Sequence, residues 1–314
     1  MSLTACLRSG AVHLIVFAAA ALGSDPAAAA RASLLVDMDS GAVLHADGAL
    51  RPARPASLTK LMTLYVAFAA VSAGQLAGDD ALTISPAAAA AAPVRLGLKA
   101  GATLTLDAAL SGLIVTSGND VAVAIAETVA GTEPAFVARM NAVAGKLGLT
   151  ATRYTNASGL PDPGQVTSAR DLALLTRALH ADFPREYARF AATAFTHAGR
   201  RIETHNNFVR AYAGASGVKT GFTCRAGFNL VATAARNGRH LLGVVLGEAG
   251  AAARDARMVR LMNAGFAGHY APAYTLDAFP DPLAQGRDEA LNARMIATEC
   301  INPEPGREYF RVRR

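Results

Sequence analysis

Three short polar motifs stand in one order along the 314 residues: Ser57-Leu58-Thr59-Lys60, Ser117-Gly118-Asn119 and Lys219-Thr220-Gly221. Each is common by itself. Together they supply a hydroxyl nucleophile, a base, a proton relay and a carboxylate holder, which is a full set for acyl transfer. A fold that uses them has to bring early, middle and late parts of the chain to one place.

Context decides which instances matter. A serine hydroxyl is a weak nucleophile until a base takes its proton. On a helix, residues three apart lie one turn apart on one face, so Ser57 and Lys60 meet if a helix starts at Ser57. The same helix end offers backbone N–H groups to a developing oxyanion. The spacing recurs at Ser216 and Lys219, but there Gly217 leads into a strand, where the two side chains point to opposite faces.

Lysine usage sharpens the choice. Of 30 Lys and Arg residues, the lysines are Lys60, Lys99, Lys146 and Lys219, so two of the four fall inside the motifs. Arginine does not give up its proton, whereas lysine does when burial or a nearby cation lowers its pKa. Lys60 is therefore the candidate base for Ser57. Ser117 is the candidate relay toward a leaving amine, and Asn119 offers its amide to a substrate carbonyl or to the lysine. Lys219 and Thr220 suit a substrate carboxylate, and Gly221 suits close approach of a substrate backbone. Phe222 is a candidate for a second oxyanion N–H. His205 reads either as a packed or surface histidine or as a further substrate contact.

Residues 1–30 read as a signal peptide. Arg8 supplies a positive start, and Ala11 to Leu22 is apolar apart from His13 but shorter than the roughly 18 residues that span a bilayer. Ala28-Ala29-Ala30 offers cleavage sites. The expectation is secretion across the inner membrane to a periplasmic or wall-associated location. Hydrophobic residues make up 52% and charged residues 17%, enough for a sizeable core, although alanine inflates the first figure. The formal charge is +6, and Arg8 and Asp25 cancel within the leader. That charge suits an anionic wall or membrane surface. The arginines are scattered and no groove-reading motif occurs, which argues against nucleic acid. With no Cys-x-x-Cys and no His-x-x-x-His, no metal site is expected. Cys224 is expected to be a buried thiol, with pairing to Cys300 left open.

Ser33 to Val36 and Ala42 to His45 read as strands around a turn at Asp39-Ser40-Gly41. A helix runs from Ser57 to Ala70, a short alanine helix is capped by Ser85, and Leu106 to His180 is mostly helical with breaks at Ser117-Gly118, Gly131 and Gly148. Ser168 caps a helix with Asp171 in its first turn. Ala191 to Thr196, Gly217 to Thr223, Phe228 to Ala234 and Leu241 to Leu246 read as strands, and Arg254 to Phe266 as a closing helix. Strands at both ends and helices between them predict an α+β domain over 31–270, its antiparallel sheet joining the two ends and a helical lobe inserted. Residues 271–314 read as a loosely ordered C-terminal extension. Its best helix, Arg287 to Thr298, is too short and too weakly amphipathic to anchor the chain, so membrane contact is expected to be peripheral at most.

The motif neighbourhoods resemble the low-molecular-mass penicillin-binding D-alanyl-D-alanine carboxypeptidases. The resemblance covers Pro55-Ala56-Ser57-Leu58-Thr59-Lys60-Leu61-Met62-Thr63, Thr116-Ser117-Gly118-Asn119-Asp120, Thr155-Asn156-Ala157-Ser158-Gly159-Leu160 and Val218-Lys219-Thr220-Gly221-Phe222-Thr223, and continues into Ala226-Gly227-Phe228-Asn229-Leu230-Val231. It implies the fold shared with serine β-lactamases and a cofactor-free acyl-enzyme on Ser57. The substrate would be a peptidoglycan stem peptide, and β-lactams would be covalent inhibitors. Where some members carry arginine, this chain has His205. Three other functions use the same motifs: a D,D-endopeptidase on cross-links, a serine β-lactamase and a non-catalytic penicillin-binding sensor. The β-lactamases with this pattern also need a glutamate past the second motif, and none occurs between Pro134 and Arg185.

Overall fold

In the computed structural model, residues 31–272 and 274–279 are described. The expected signal peptide, most of the C-terminal extension and Cys300 lie outside them. In chain order the elements begin with β1 (Ala32–Asp37), β2 (Ala42–Asp47), a 3-10 turn (Ala56–Thr59) and α1 (Lys60–Ser72). β3 (Ala81–Thr83), α2 (Pro86–Ala90) and β4 (Thr103–Thr105) follow, then α3 (Leu106–Thr116), α4 (Asn119–Ala130), α5 (Glu133–Lys146), α6 (Ala169–Asp182) and α7 (Pro184–Tyr187). A second 3-10 turn (Ala188–Ala191) leads to β5 (Ala194–His197), β6 (Arg200–Glu203) and α8 (Asn207–Ala211). The chain closes with β7 (Ala215–Thr223), β8 (Gly227–Arg236), β9 (Arg239–Glu248), α9 (Ala251–Phe266) and β10 (Tyr274–Thr275).

The main sheet has the order β10-β2-β1-β9-β8-β7 and is antiparallel throughout. The N-terminal hairpin therefore pairs with the C-terminal strands, as the strand–helix–strand pattern predicts. Both faces of the sheet are covered, which is why its strands read as nearly continuous apolar runs. Leu34, Val36, Leu242 and Val244 join the large core with Leu61 and Leu64 of α1 and Leu172 of α6. Leu35, Leu230, Leu241 and Val245 point the other way, onto Met258 and Met262 of α9.

Helix starts follow their caps. Ser85 Oγ accepts the Ala88 N–H, Thr105 Oγ1 that of Ala108, Thr132 Oγ1 that of Ala135 and Ser168 Oγ that of Asp171. The lobe α2–α5 hangs between β3 and α6, and its break at Ser117-Gly118 ends α3 with Ser117 in the left-handed region at φ +62.

Four expectations change. The helix expected from Ser57 begins instead as the 3-10 turn, because Ala56 enters at φ +50, outside the helical region, and α1 proper starts at Lys60. The strand expected at Ala191 to Thr196 starts at Ala194 and pairs only with β6, in a separate hairpin. Packed structure runs past residue 270: Tyr274 pairs with Val43, and Leu276 and Phe279 enter the large core. Cys224 is exposed, not buried, because it falls in the turn between β7 and β8. Among the described residues no single helix is long and apolar enough to cross a membrane.

Candidate active site

The three motifs meet where the 3-10 turn, the α3–α4 junction and β7 converge. β7 is an edge strand, so one side of it carries no further strand and instead lies against the Ser57 turn. The approach is close. A Cβ on Gly221 would sit 2.9 Å from Pro55 O and 3.2 Å from Ser57 N. Gly221 is thus needed for packing between two protein segments, where the sequence suggested room for a substrate backbone. Gly159 presses on the turn from another side: at φ +84, its Cβ would fall 1.9 Å from Ala56 O. Asn229, buried mid-strand in β8, ties the same turn to the sheet by donating to Arg54 O and Pro55 O and accepting the Gly247 N–H.

Lys60 is completely buried, and its Nζ makes three hydrogen bonds: to Ser57 Oγ at 3.1 Å, Asn119 Oδ1 at 2.7 Å and the Ser158 carbonyl at 2.5 Å. Burial, and then the charge of Lys219, hold its pKa well below the ordinary lysine value, with Asp120 pulling the other way. A neutral lysine amine keeps a lone pair that can take the Ser57 proton. Asn119 is fixed by its own donation to Ala92 O. Asp120, also fully buried, accepts the N–H groups of Leu96 and Gly97 and so holds the 94–97 loop beside the second motif.

Lys219 is buried as well, and its Nζ donates to Thr220 O at 3.1 Å. Burial and the charge of Arg254 push it down to about 7. Arg254 is itself buried at the start of α9 and paired with Asp255 at 2.7 Å. His205 is exposed, and partial burial of its ring together with Lys219 lowers its pKa, which puts it within electrostatic reach of that lysine. Thr220 is half-buried in β7, and the Phe222 ring stacks on Phe228 with centroids 4.2 Å apart. Ser117 Oγ is a buried atom with no hydrogen-bond partner among the described residues.

Sequence reasoning gave no role to Ser158, Asp120 or Asn229, which appear only within the resembling motifs, and did not name Gln165. Ser158 acts through its backbone carbonyl, which leaves no side-chain signal. Asn229 did leave one: an amide inside the apolar run Phe228 to Ala234 has to be satisfied by a nearby backbone. Glu133 lies directly before Pro134, at the edge of the glutamate-free stretch. Its Oε1 accepts the Ala157 N–H at 2.9 Å, so it braces the loop that carries Ser158.

A family model described as D-alanyl-D-alanine carboxypeptidase matches residues 19–250. D-alanyl-D-alanine carboxypeptidase DacC of Escherichia coli is 38% identical over 277 residues, 84% of this chain and 69% of its own. DacA of the same organism is 38% identical over 76% of this chain and 60% of its own, so the chain spans roughly three fifths to two thirds of these relatives' lengths. Penicillin-binding protein D2 of Listeria monocytogenes, solved in its ampicillin-bound form, superposes with a TM-score of 0.69 at 29% identity, over 75% of this chain and 96% of that one.

Proposed function

The chain belongs to the D-alanyl-D-alanine carboxypeptidase family, and on that premise we propose that it removes the terminal D-alanine from peptidoglycan stem peptides. Ser57 Oγ attacks the carbonyl of the penultimate D-alanine while Lys60 takes the hydroxyl proton. The C–N bond breaks, and the departing amine of D-alanine receives a proton through Ser117. Water then hydrolyses the ester on Ser57. Lys219 and Thr220 hold the substrate's terminal carboxylate, with His205 at the rim.

The observation that carries this reading is the 3.1 Å contact between Ser57 Oγ and a fully buried Lys60 amine. An exposed lysine of ordinary pKa would be a poor base. Incubation with a pentapeptide ending in D-Ala-D-Ala, followed by assay of free D-alanine, tests it. No release of D-alanine would overturn it.

β-Lactams mimic that dipeptide and should acylate Ser57, as the ampicillin complex of the Listeria relative suggests. The acyl-enzyme should persist for minutes. A β-lactam's leaving group stays tethered and obstructs water, and Glu133 is engaged with the Ala157 N–H. A pulse of labelled penicillin followed by a chase measures release, and turnover near one per second would favour a β-lactamase.

Residues 1–30 are proposed to direct secretion to a periplasmic or wall-associated location, with the +6 charge favouring anionic surfaces. Fractionation should then find the protein released by high salt. Retention against salt would contradict purely electrostatic contact.

A further inference from the structure

Gln165 is buried, at 4% exposure, in a loop distant in sequence from all three motifs. Its Oε1 accepts the Thr155 N–H at 3.0 Å, the Asn156 N–H at 3.2 Å and the Thr155 hydroxyl at 3.3 Å. Its Nε2 donates to Thr59 Oγ1 at 3.3 Å and to Asn156 Oδ1 at 3.4 Å. Asn156 Oδ1 in turn accepts the N–H groups of Ser158 and Gly159, at 3.2 and 2.7 Å. Ser158 then presents its carbonyl to Lys60 Nζ. One amide thus touches both sides of the reacting pair: the turn that carries Ser57, through Thr59, and the loop that caps Lys60, through Asn156.

We propose that Gln165 is a positioning residue for the reaction proposed above, its amide setting the Ser158 carbonyl against the Lys60 amine and fixing that loop to the Ser57 turn. The chemistry suits glutamine. The junction needs acceptors for two backbone N–H groups and a hydroxyl, and donors for a threonine oxygen and an amide oxygen. Only a carboxamide offers both on one planar group. Half-satisfied buried networks are costly, so the loss of this amide should let the 155–159 loop relax.

The consequence has a sign. A carbonyl that accepts from Lys60 favours its protonated form. Loosening that carbonyl should lower the pH at which Lys60 loses its proton, while leaving the amine less well aimed at Ser57. The charged groups around Lys60 are Lys219 from β7 and Asp120 from α4. α5 brings Glu133, held on Ala157 N. α6 brings the Arg170–Asp171 pair, and Asp182 held by Tyr65 of α1. None of these is altered by an uncharged substitution at Gln165.

The test is the second-order rate of acylation by benzylpenicillin as a function of pH, with thermal melts run alongside. Gln165→Met should acylate roughly 10- to 100-fold more slowly on the plateau. Its acid limb should move to lower pH by about half a unit to one unit, the size one hydrogen bond supplies. Gln165→Glu places an anion near Lys60 and should move the limb to higher pH. Thr59→Val cuts only the link to the Ser57 turn; it should slow acylation about threefold to tenfold and decides the matter if Gln165→Met does not fold. A folded Gln165→Met with wild-type rate, or with a lower rate but an unmoved acid limb, would overturn the proposal, as would a folded Thr59→Val indistinguishable from wild type. A wild-type protein that benzylpenicillin does not acylate would sink the carboxypeptidase reading and this one with it, a result distinct from the others because it appears before any substitution.

Discussion

Lys60 and Lys219 are both buried amines in one site, yet their surroundings differ in kind. Lys60 Nζ has three partners, Ser57 Oγ, Asn119 Oδ1 and the Ser158 carbonyl; as a neutral amine it donates to the last two and turns its lone pair to the Ser57 hydroxyl. Those partners are themselves held, by Ala92 O, by Asn156 and by the Gly159 contact. Among the described residues Lys219 donates to one carbonyl, that of its neighbour Thr220, and it faces the charge of Arg254, with the His205 imidazole, its pKa lowered, in electrostatic reach. The first half of the site is preorganised to move a proton, which favours catalysis because no reorganisation is needed at the moment of reaction. The second half is an excess of positive charge at low dielectric, which a substrate carboxylate would offset.

The largest effect should come from breaking the Lys60 side. Lys60→Arg keeps the charge but cannot accept a proton, and acylation should fall by about 10²- to 10⁴-fold. A loss within tenfold would mean that Lys60 is electrostatic only and the base lies elsewhere.

Lys219→Met should lower kcat/KM for peptides ending in a free carboxylate by about 10- to 150-fold, the range of a charged hydrogen bond. It should change hydrolysis of the corresponding C-terminal amide far less. Stability should move the other way. The Lys219 pKa is pushed down to about 7, so at neutral pH the fold bears the cost of an ill-solvated amine, and methionine should raise Tm by on the order of 5 °C. Lys60→Met should instead lower Tm, because it strands Asn119 Oδ1 and Ser158 O. Tm shifts of the same sign for both would erase the contrast drawn between the two lysines.

The pH dependence follows from the same pair. Lys60 must be neutral, so kcat/KM rises with pH as it loses its proton. Lys219 must be charged, so the rate falls again as pH passes through about 7 in the free enzyme. Lys219→Met should abolish the alkaline limb and move the acid limb to higher pH, because Lys60 loses the cation that helps hold its pKa down. Persistence of the alkaline limb would assign it to another group.

Gly221→Ala should have a smaller effect, roughly tenfold on acylation, since the added methyl meets the backbone at Pro55 O and the turn has to shift. Cys224→Ser, on an exposed turn, should leave Tm and acylation unchanged within error. A large effect there would mean that the β7–β8 turn takes part in the site.

Much of this was readable from residue types. The motifs carry chemistry that few other residues supply, and Ser85 and Ser168 announce their helices because a hydroxyl at that position satisfies an otherwise unpaired N–H. What escaped was set by the backbone or by distant contacts. Spacing places Ser57 and Lys60 on one face of an α-helix, but the actual entry through Ala56 at φ +50 makes a tighter turn that spacing does not distinguish. The role of Ser158 belongs to a carbonyl that every residue possesses. Gly221 looked like a gap for substrate because a strand glycine signals close approach without saying what approaches. Gln165 lies 105 positions beyond Lys60 in sequence numbering, and only the folded loop brings it to Thr59.

The central claim is that Ser57, activated by Lys60, is the acylated residue. Intact-mass analysis and peptide mapping after incubation with benzylpenicillin address it directly, on the wild type and on Ser57→Ala. The account predicts one adduct per wild-type chain, on the peptide that contains Ser57, and none on the folded variant. An adduct that survives in Ser57→Ala, or that maps to Ser117 or another residue, would contradict it.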